Sequence, residues 1–540
     1  MIIDNFYTDT YKSHFYLGMV SQVYRDTSIV QVENLSWLNH RKIKMEMLIP
    51  NTINYFVVID TVQGLFIGET FQSKIPSSDS VHESLNNGIS EKIYPEIGID
   101  VIGLMRQNES SFKLSGMNTV GVTDKVYIAN EELIIKYLES IEIKTHSSNL
   151  KEKKLPPFAN FSNMNKQKVA LKPSTLFSRH LMTIGTTNSG KSTSALSILD
   201  KLIQSKKKVL IIDPTGEYSE SFADIEHLTL GENTIISNGK LTAQQWQMLF
   251  ETNDNTQGSI LSSAMKSLKF QKQHNLNTPY IKTGRYPQDV ENDMSSVTER
   301  NFDLSLLPEQ INQESVEIST NRLTQGQYVF NTWGANVNAW LVQKVRHKLD
   351  NSSFMEFFND TGSKQNLLEK LDIFTQTKET SLYINSSKIG TTDGIGGMII
   401  DLISDYLVNK NTDEIEPFVI FIDEVHRYTK SPSLDFDYHT GLTSIAREGR
   451  KKGIFLFLTT QNPNDVSDIL LGQIGTLLIH RLTHYEELKS IQNHLKSNSL
   501  GQIKKLNQGE CILASINLLQ DIHLNFEKCQ RKHNNETPLL

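Results

Sequence analysis

Two cysteines in 540 residues, Cys511 and Cys529, leave no disulfide framework and no metal-ligand cluster. Reduced thiols in the cytoplasm are the simpler reading. No apolar run approaches the roughly 18 residues that a membrane-spanning helix needs, so no membrane partner is expected. The first residues, Met1-Ile2-Ile3-Asp4-Asn5, lack the basic region and apolar core of a secretory signal. A net charge of −7 excludes a surface that is basic all over. It leaves room for a basic channel, because a field depends on where the charge sits. A second catalytic constellation is also missing. There is no G-x-S-x-G, no zinc-ligand spacing and no nuclease-like group of carboxylates with a lysine, so any further chemistry must come from a partner chain.

What is present centres on His180-Leu181-Met182-Thr183-Ile184-Gly185-Thr186-Thr187-Asn188-Ser189-Gly190-Lys191-Ser192-Thr193. Gly185 to Ser192 fit G-x-x-x-x-G-K-[ST], between a short apolar strand and a segment with helical spacing, which is the setting a phosphate-binding loop requires. Gly185 and Gly190 let the backbone of Thr187, Asn188, Ser189 and Thr193 turn its N–H groups toward phosphate, and the helix N-terminus adds partial positive charge. Lys191 is placed to reach the β- and γ-phosphates of ATP, and Ser192 to offer a hydroxyl to Mg²⁺.

Length alone suggests about three domains. Residues 1–150 contain short β-branched or aromatic runs, Thr27 to Val32, Tyr55 to Ile59 and Lys125 to Ala129, separated by turn signals at Pro50-Asn51 and Asn86-Asn87-Gly88. Their close spacing predicts a small β-barrel. Charge followed by Pro156-Pro157 predicts a linker over 151–175. An α/β core begins at 176 and runs to 235. A polar stretch over 236–380 reads as a helical insertion, the core resumes over 381–515, and 516–540 forms a C-terminal extension. In a parallel sheet the strand ends form the ligand edge, so Asp213, closing Val209-Leu210-Ile211-Ile212, and Glu217 fall near the phosphates. Phe418-Val419-Ile420-Phe421-Ile422 ends in Asp423-Glu424. Asp423 can hold Mg²⁺ through water, and Glu424 can polarise the attacking water. Gln461, at the end of the strand from Ile454, can sense the γ-phosphate.

The order of these motifs, P-loop, V-L-I-I-D-P-T-G-E-Y, D-E-V-H-R, A-R-E-G-R-K-K-G and L-T-T-Q-N-P, resembles the HerA branch of the HerA/FtsK ATPases. The resemblance implies a RecA-like P-loop core with a helical insertion behind an N-terminal β-barrel. It also implies a homohexameric, ATP-driven motor that threads double-stranded DNA. Bacterial relatives of this kind work in anti-phage defence beside an effector, a nuclease or a sirtuin-type NAD-consuming enzyme. Carried onto this chain, Lys191 and Ser192 bind nucleotide and metal, Asp213 and Asp423 are acidic site residues, Glu424 is the catalytic carboxylate and Gln461 the sensor. Arg447 or Arg450 would complete a neighbour's site as a finger, with Arg179 as a further contact across the interface. Asn188 stands where the family often has Gly, and Thr215 where His is frequent. A second reading from another class is an ATP-gated ring scaffold that assembles and activates its partner without processive translocation.

Overall fold

The β-branched and aromatic segments at the start of the chain turn alternate side chains inward, and six of them close a barrel. β1 (Tyr16–Val23), β2 (Thr27–Val32), β3 (Phe56–Thr61), β4 (Gly64–Lys74), β5 (Glu96–Met105) and β6 (Lys125–Ile128) pair antiparallel in the order β1-β2-β5-β4-β3-β6, and β6 returns to β1. Closure leaves the barrel without an unpaired edge. Leu17, Val30, Val57, Ile59, Phe66 and Val126 fill the inside and are fully buried. α1 (Glu131–Ser140) follows; the Asn130 side chain caps it, accepting the Leu133 N–H at 3.0 Å.

These elements come from a computed structural model that describes residues 2–531, apart from 8–11, 26, 34, 39–41, 44–45, 48–52, 90–92, 144–151, 163–166, 253–255, 360–363, 430–439 and 497–498. The expected turn at Pro50-Asn51 and the start of the expected linker at Lys151 lie outside the described residues. The chain divides into two units. One comprises residues up to 176 with 492–506 and 510–525; the other comprises 177–491, 507–509 and the residues from 526 onward.

The described residues of the linker expected over 151–175 are instead structured. They carry β7 (Ala159–Phe161) and β8 (Lys168–Val169), paired antiparallel. Leu155, Phe158, Phe161, Val169 and Leu171 are buried, so the lysines and the proline pair are only the outer face of a packed segment.

The second unit carries the α/β core. In chain order come β9 (Leu181–Ile184), α2 (Lys191–Gln204), β10 (Lys208–Asp213), β11 (Glu226–Thr229), the insertion, β12 (Leu382–Asn385), α5 (Asp393–Val408), β13 (Phe418–Ile422), α6 (Gly441–Glu448), β14 (Ile454–Thr460) and β15 (Thr476–Ile479), where α3 (Gln257–Gln273) and α4 (Thr332–Leu349) belong to the insertion. The strands pair in the order β15-β9-β14-β13-β10-β12-β11, every neighbour parallel. β10 and β13 are buried along their whole length, as expected for strands covered on both faces. Because the strands run one way, their C-terminal ends share a single edge, and the P-loop, Asp213, Asp423 and Gln461 are all delivered to it.

The insertion is helical, as expected, and has its own apolar centre. Trp246 is 1% exposed and packs on Phe250, Phe302 and Phe358 with ring centroids 5.3–5.8 Å apart. α4 buries Leu341, Val342 and Val345 and leaves Trp333 and Trp340 exposed.

The last boundary also moves. β15 is the last strand of the second unit; β16 (Glu510–Ser515) and β17 (Ile522–Asn525) form an antiparallel pair in the first unit, where β17 adds to β7. The division at 515 expected from the apolar run Cys511 to Ala514 therefore splits a hairpin. Buried apolar residues continue through Leu518, Leu519, Ile522 and Leu524. Among the described residues no helix is long and apolar enough to cross a membrane.

Candidate nucleotide site

The loop after β9 owes its curl to two residues with positive φ and one close approach. Gly190 sits at φ 111°, where a Cβ would stand 2.9 Å from the Gly509 nitrogen. A Cβ on Gly185 would meet His480 Cβ and Ser189 Oγ, both at 2.6 Å. Asn188 sits at φ 61°, in the left-handed region that Asn tolerates better than most residues. Asn in place of Gly thus keeps the loop's shape, and the departure seen in the sequence has a structural account.

The loop is fastened from below by residues far along the chain. Gly509 donates its N–H to the Ser189 carbonyl at 3.0 Å, and Thr186 N–H donates to the Arg481 carbonyl at 3.1 Å. His480, wholly buried, shares a 2.8 Å hydrogen bond with Ser194 on α2 through Nε2.

The acid pair stands beside this loop. Lys191, only 7% exposed, places Nζ 3.6 Å from Glu424 Oε1. Gln461 donates Nε2 to the same Oε1 at 2.8 Å, and its carbonyl accepts the Thr187 hydroxyl at 3.0 Å. Lys191, Thr187, Gln461 and Glu424 therefore converge on one point. Glu424 holds φ at 46°, uncommon for a residue with a Cβ, and its N–H donates to Thr459 Oγ1 at 2.9 Å. Strain of this kind persists where surrounding contacts over-determine it, often at functional sites. Glu424 Oε2 is buried without a hydrogen-bond donor in good geometry, and His426 Nδ1 lies 3.3 Å away.

Asp423 is held on both oxygens. Oδ1 accepts the Thr459 hydroxyl and, at 3.1 Å, the Glu424 N–H; Oδ2 accepts the Tyr218 hydroxyl at 2.5 Å. The Ser192 hydroxyl donates in turn to the Tyr218 phenol. Burial, reinforced by the neighbouring Glu424 charge, pushes the Asp423 carboxyl above the usual range. Ser192 and Asp423 are hard oxygen donors beside the P-loop, a set that suits Mg²⁺.

Asp213 plays another part in the geometry. Its carboxylate accepts five bonds: the Thr215 N–H and hydroxyl at 3.0 Å, the Gly216 and Tyr218 N–H groups at 2.8 Å, and the Tyr383 hydroxyl at 2.7 Å. It builds the turn 213–218, and Thr215 in place of His serves that turn directly. Glu217, on the turn's outer side, has its carboxyl pushed up by partial desolvation and by the Asp423 and Asp213 charges.

The three arginines expected to act across an interface are not at this point. Arg179 precedes β9, and Arg447 and Arg450 precede β14, so all three belong to the N-terminal edge of a parallel sheet, opposite the P-loop. All three are exposed. The residues that sequence reasoning missed are Tyr218, Thr459, His426, Tyr383 and His480. Tyr218, His426 and Thr459 lay inside the quoted motifs but carried no recognisable chemistry there, and Tyr383 and His480 had no local signal.

A parallel sheet with a P-loop after one strand and an acid pair after a strand two places away defines a RecA-like P-loop NTPase core. Residues 158–404 match the family model described as the central domain of helicase HerA. The chain is similar to the DNA double-strand break repair helicase HerA of Saccharolobus solfataricus, 24% identical over 349 residues that make up 62% of each protein. A probable helicase of Methanocaldococcus jannaschii is 21% identical over 453 residues, 77% of this chain and 76% of that one. Among solved structures, the plasmid coupling protein TrwB with a non-hydrolysable ATP analogue superposes with a TM-score of 0.47 at 13% identity, over 73% of this chain and 95% of that one.

Proposed function

We propose that this chain hydrolyses ATP and uses the energy to move double-stranded DNA. The observation that carries the reading is the convergence of Lys191, Thr187, Gln461 and Glu424 beside the P-loop, in a chain that matches the HerA central-domain model. Lys191 and the loop N–H groups bind the phosphates, and Gln461 and Glu424 orient and polarise the attacking water. Mg²⁺, held by Ser192 and Asp423, would neutralise charge on the phosphate oxygens.

The active form in this reading is a homohexameric ring. Negative charge growing on the γ-phosphate needs a cation opposite Lys191. Arg447, Arg450 and Arg179 are exposed at the edge of the sheet opposite the chain's own P-loop, which suits them to a neighbour's. The resemblance to defence-associated relatives favours a ring that serves an effector enzyme, a nuclease or a sirtuin-type NADase, in cytoplasmic anti-phage defence.

The deciding experiment is ATP turnover with and without double-stranded DNA. A translocase is stimulated by DNA. Turnover that is indifferent to DNA, with the ring intact, overturns translocation and leaves the ATP-gated scaffold.

A further inference from the structure

The turn between β10 and the loop before β11 does more than decorate the acidic edge. Asp213 gathers three backbone N–H groups and the Thr215 hydroxyl, and the Tyr383 hydroxyl from β12 locks it from the neighbouring strand. The product of this bracing is the place of one side chain. Tyr218 is 1% exposed, its ring packed edge-on to Phe421 at 5.6 Å and beside Phe222 at 6.4 Å, so the phenol has one course open to it. Its oxygen stands between Ser192 and Asp423, taking a hydrogen bond from the first and giving one to the second at 2.5 Å.

We propose that Tyr218 is the positioning residue of the metal side of this site: its hydroxyl sets the orientation of Asp423 and ties it to Ser192, through a turn that Asp213 and Tyr383 hold rigid. The proposal rests on the reading of the site as a Mg²⁺-dependent ATPase. Thr459 and the Glu424 N–H fix only Oδ1 of Asp423. Without the phenol, Oδ2 is a buried carboxylate oxygen with its hydrogen-bond donor removed, and the carboxylate can rotate away from the position a hydrated cation needs. Removing the hydroxyl leaves the P-loop N–H groups and Lys191 in place to bind phosphate. The effect should therefore fall on the metal and spare the metal-free nucleotide.

Tyr218→Phe keeps the ring and its packing and removes only the hydroxyl. A fluorescent ATP analogue is titrated into wild type and variant, once in EDTA and once across a Mg²⁺ series, and turnover is followed over the same series. The expected outcome is unchanged affinity in EDTA, a loss of most of the tightening that Mg²⁺ produces, and a half-saturating Mg²⁺ concentration raised by roughly 10-fold or more, the ratio given by one charge-assisted hydrogen bond. Tyr383→Phe, which frees the turn at its other end, should shift the Mg²⁺ curve in the same direction by less. It also serves if Tyr218→Phe does not fold. A wild-type Mg²⁺ response in both variants overturns the proposal. So does an equal weakening with and without Mg²⁺, which marks a general loss of structure. If wild type itself binds no nucleotide, or Lys191→Ala binds as well as wild type, the ATPase reading fails first and separately.

Discussion

Replacing Glu424 by Gln isolates charge from shape at the point where the site converges. The amide oxygen can keep the 2.8 Å bond from Gln461 Nε2, and the amide nitrogen fits the side of Oε2, which has no donor in good geometry. What is lost is the negative charge, with two consequences. The attacking water loses its polarising base, a contribution of about 10²–10⁴ in rate for general acid–base catalysis. Asp423, whose carboxyl is pushed up first by burial and then by Glu424, is relieved of the second influence and moves back toward its ordinary range. Removing a like charge beside Asp423 does not weaken its pull on a cation, so affinity for Mg·ATP should hold or improve. Phosphate release at saturating ATP should therefore fall by about 10²-fold or more while nucleotide affinity stays within ~3-fold of wild type. Fluorescent nucleotide titration and a single-turnover assay measure the two separately. Turnover within ~5-fold of wild type would refute the reasoning and move the base to Glu217, the next carboxylate on the edge.

Mixing experiments decide the arginines: if Arg447 or Arg450 acts in trans, subunits lacking it should regain hydrolysis when exchanged into rings with Glu424→Gln subunits, and no recovery despite verified exchange, by mass, removes that residue from the role. Arg531 clamps the C-terminal segment to the core, with Nε on Asp200 at 2.9 Å, a two-pronged grip on Asp224 at 2.7 and 2.9 Å, a bond to the Ser221 carbonyl and its guanidinium 4.9 Å from the Phe222 ring. Arg531→Ala should cost about 2 kcal/mol, since Asp200 is largely buried but keeps Lys201 and Gln204, while Asp224 is well exposed. The melting temperature of this unit should drop by roughly 2–4 °C. The hydrogen bonds from Arg531 hold the Asp224 carboxyl below its ordinary value. Its share of the stability is therefore present above the ordinary carboxylate range and lost as pH falls through the depressed value. The gap between Arg531→Ala and wild type should narrow in acid; a gap constant with pH would contradict the assignment.

The parts of the site that could be read in the sequence are those whose chemistry is local. A glycine-bounded loop between a strand and a helix announces itself, and so does an acid pair at the end of five apolar residues. Gln461 was legible because a polar side chain at the end of a buried strand has little else to do. The rest depended on partners far along the chain. Asp213 looked like a ligand because its position in the sheet was readable, whereas its five donors include Tyr383, 170 residues away. Tyr218 meets Asp423 across 205 residues. Nothing in D-P-T-G-E-Y shows which acidic group is saturated and which is presented. The linker and the final boundary misled for a related reason: lysines, prolines and a polar tail describe the outer face of a segment. The inner face of 151–175 and 516–525 is made of isolated apolar residues whose pairing is non-local.

The floor beneath the P-loop also sets a clock on synthesis. His480 reaches Ser194 across 286 residues, Gln461 reaches Thr187 across 274, and Gly509, later still, closes against Ser189 and Gly190. β9 has no sheet to join until β14 and β15 have left the ribosome. A nascent chain thus exposes its phosphate loop early but cannot hold it in shape until nearly all of its residues are made. Partly translated chains lack these contacts and should therefore bind nucleotide poorly until translation is almost finished.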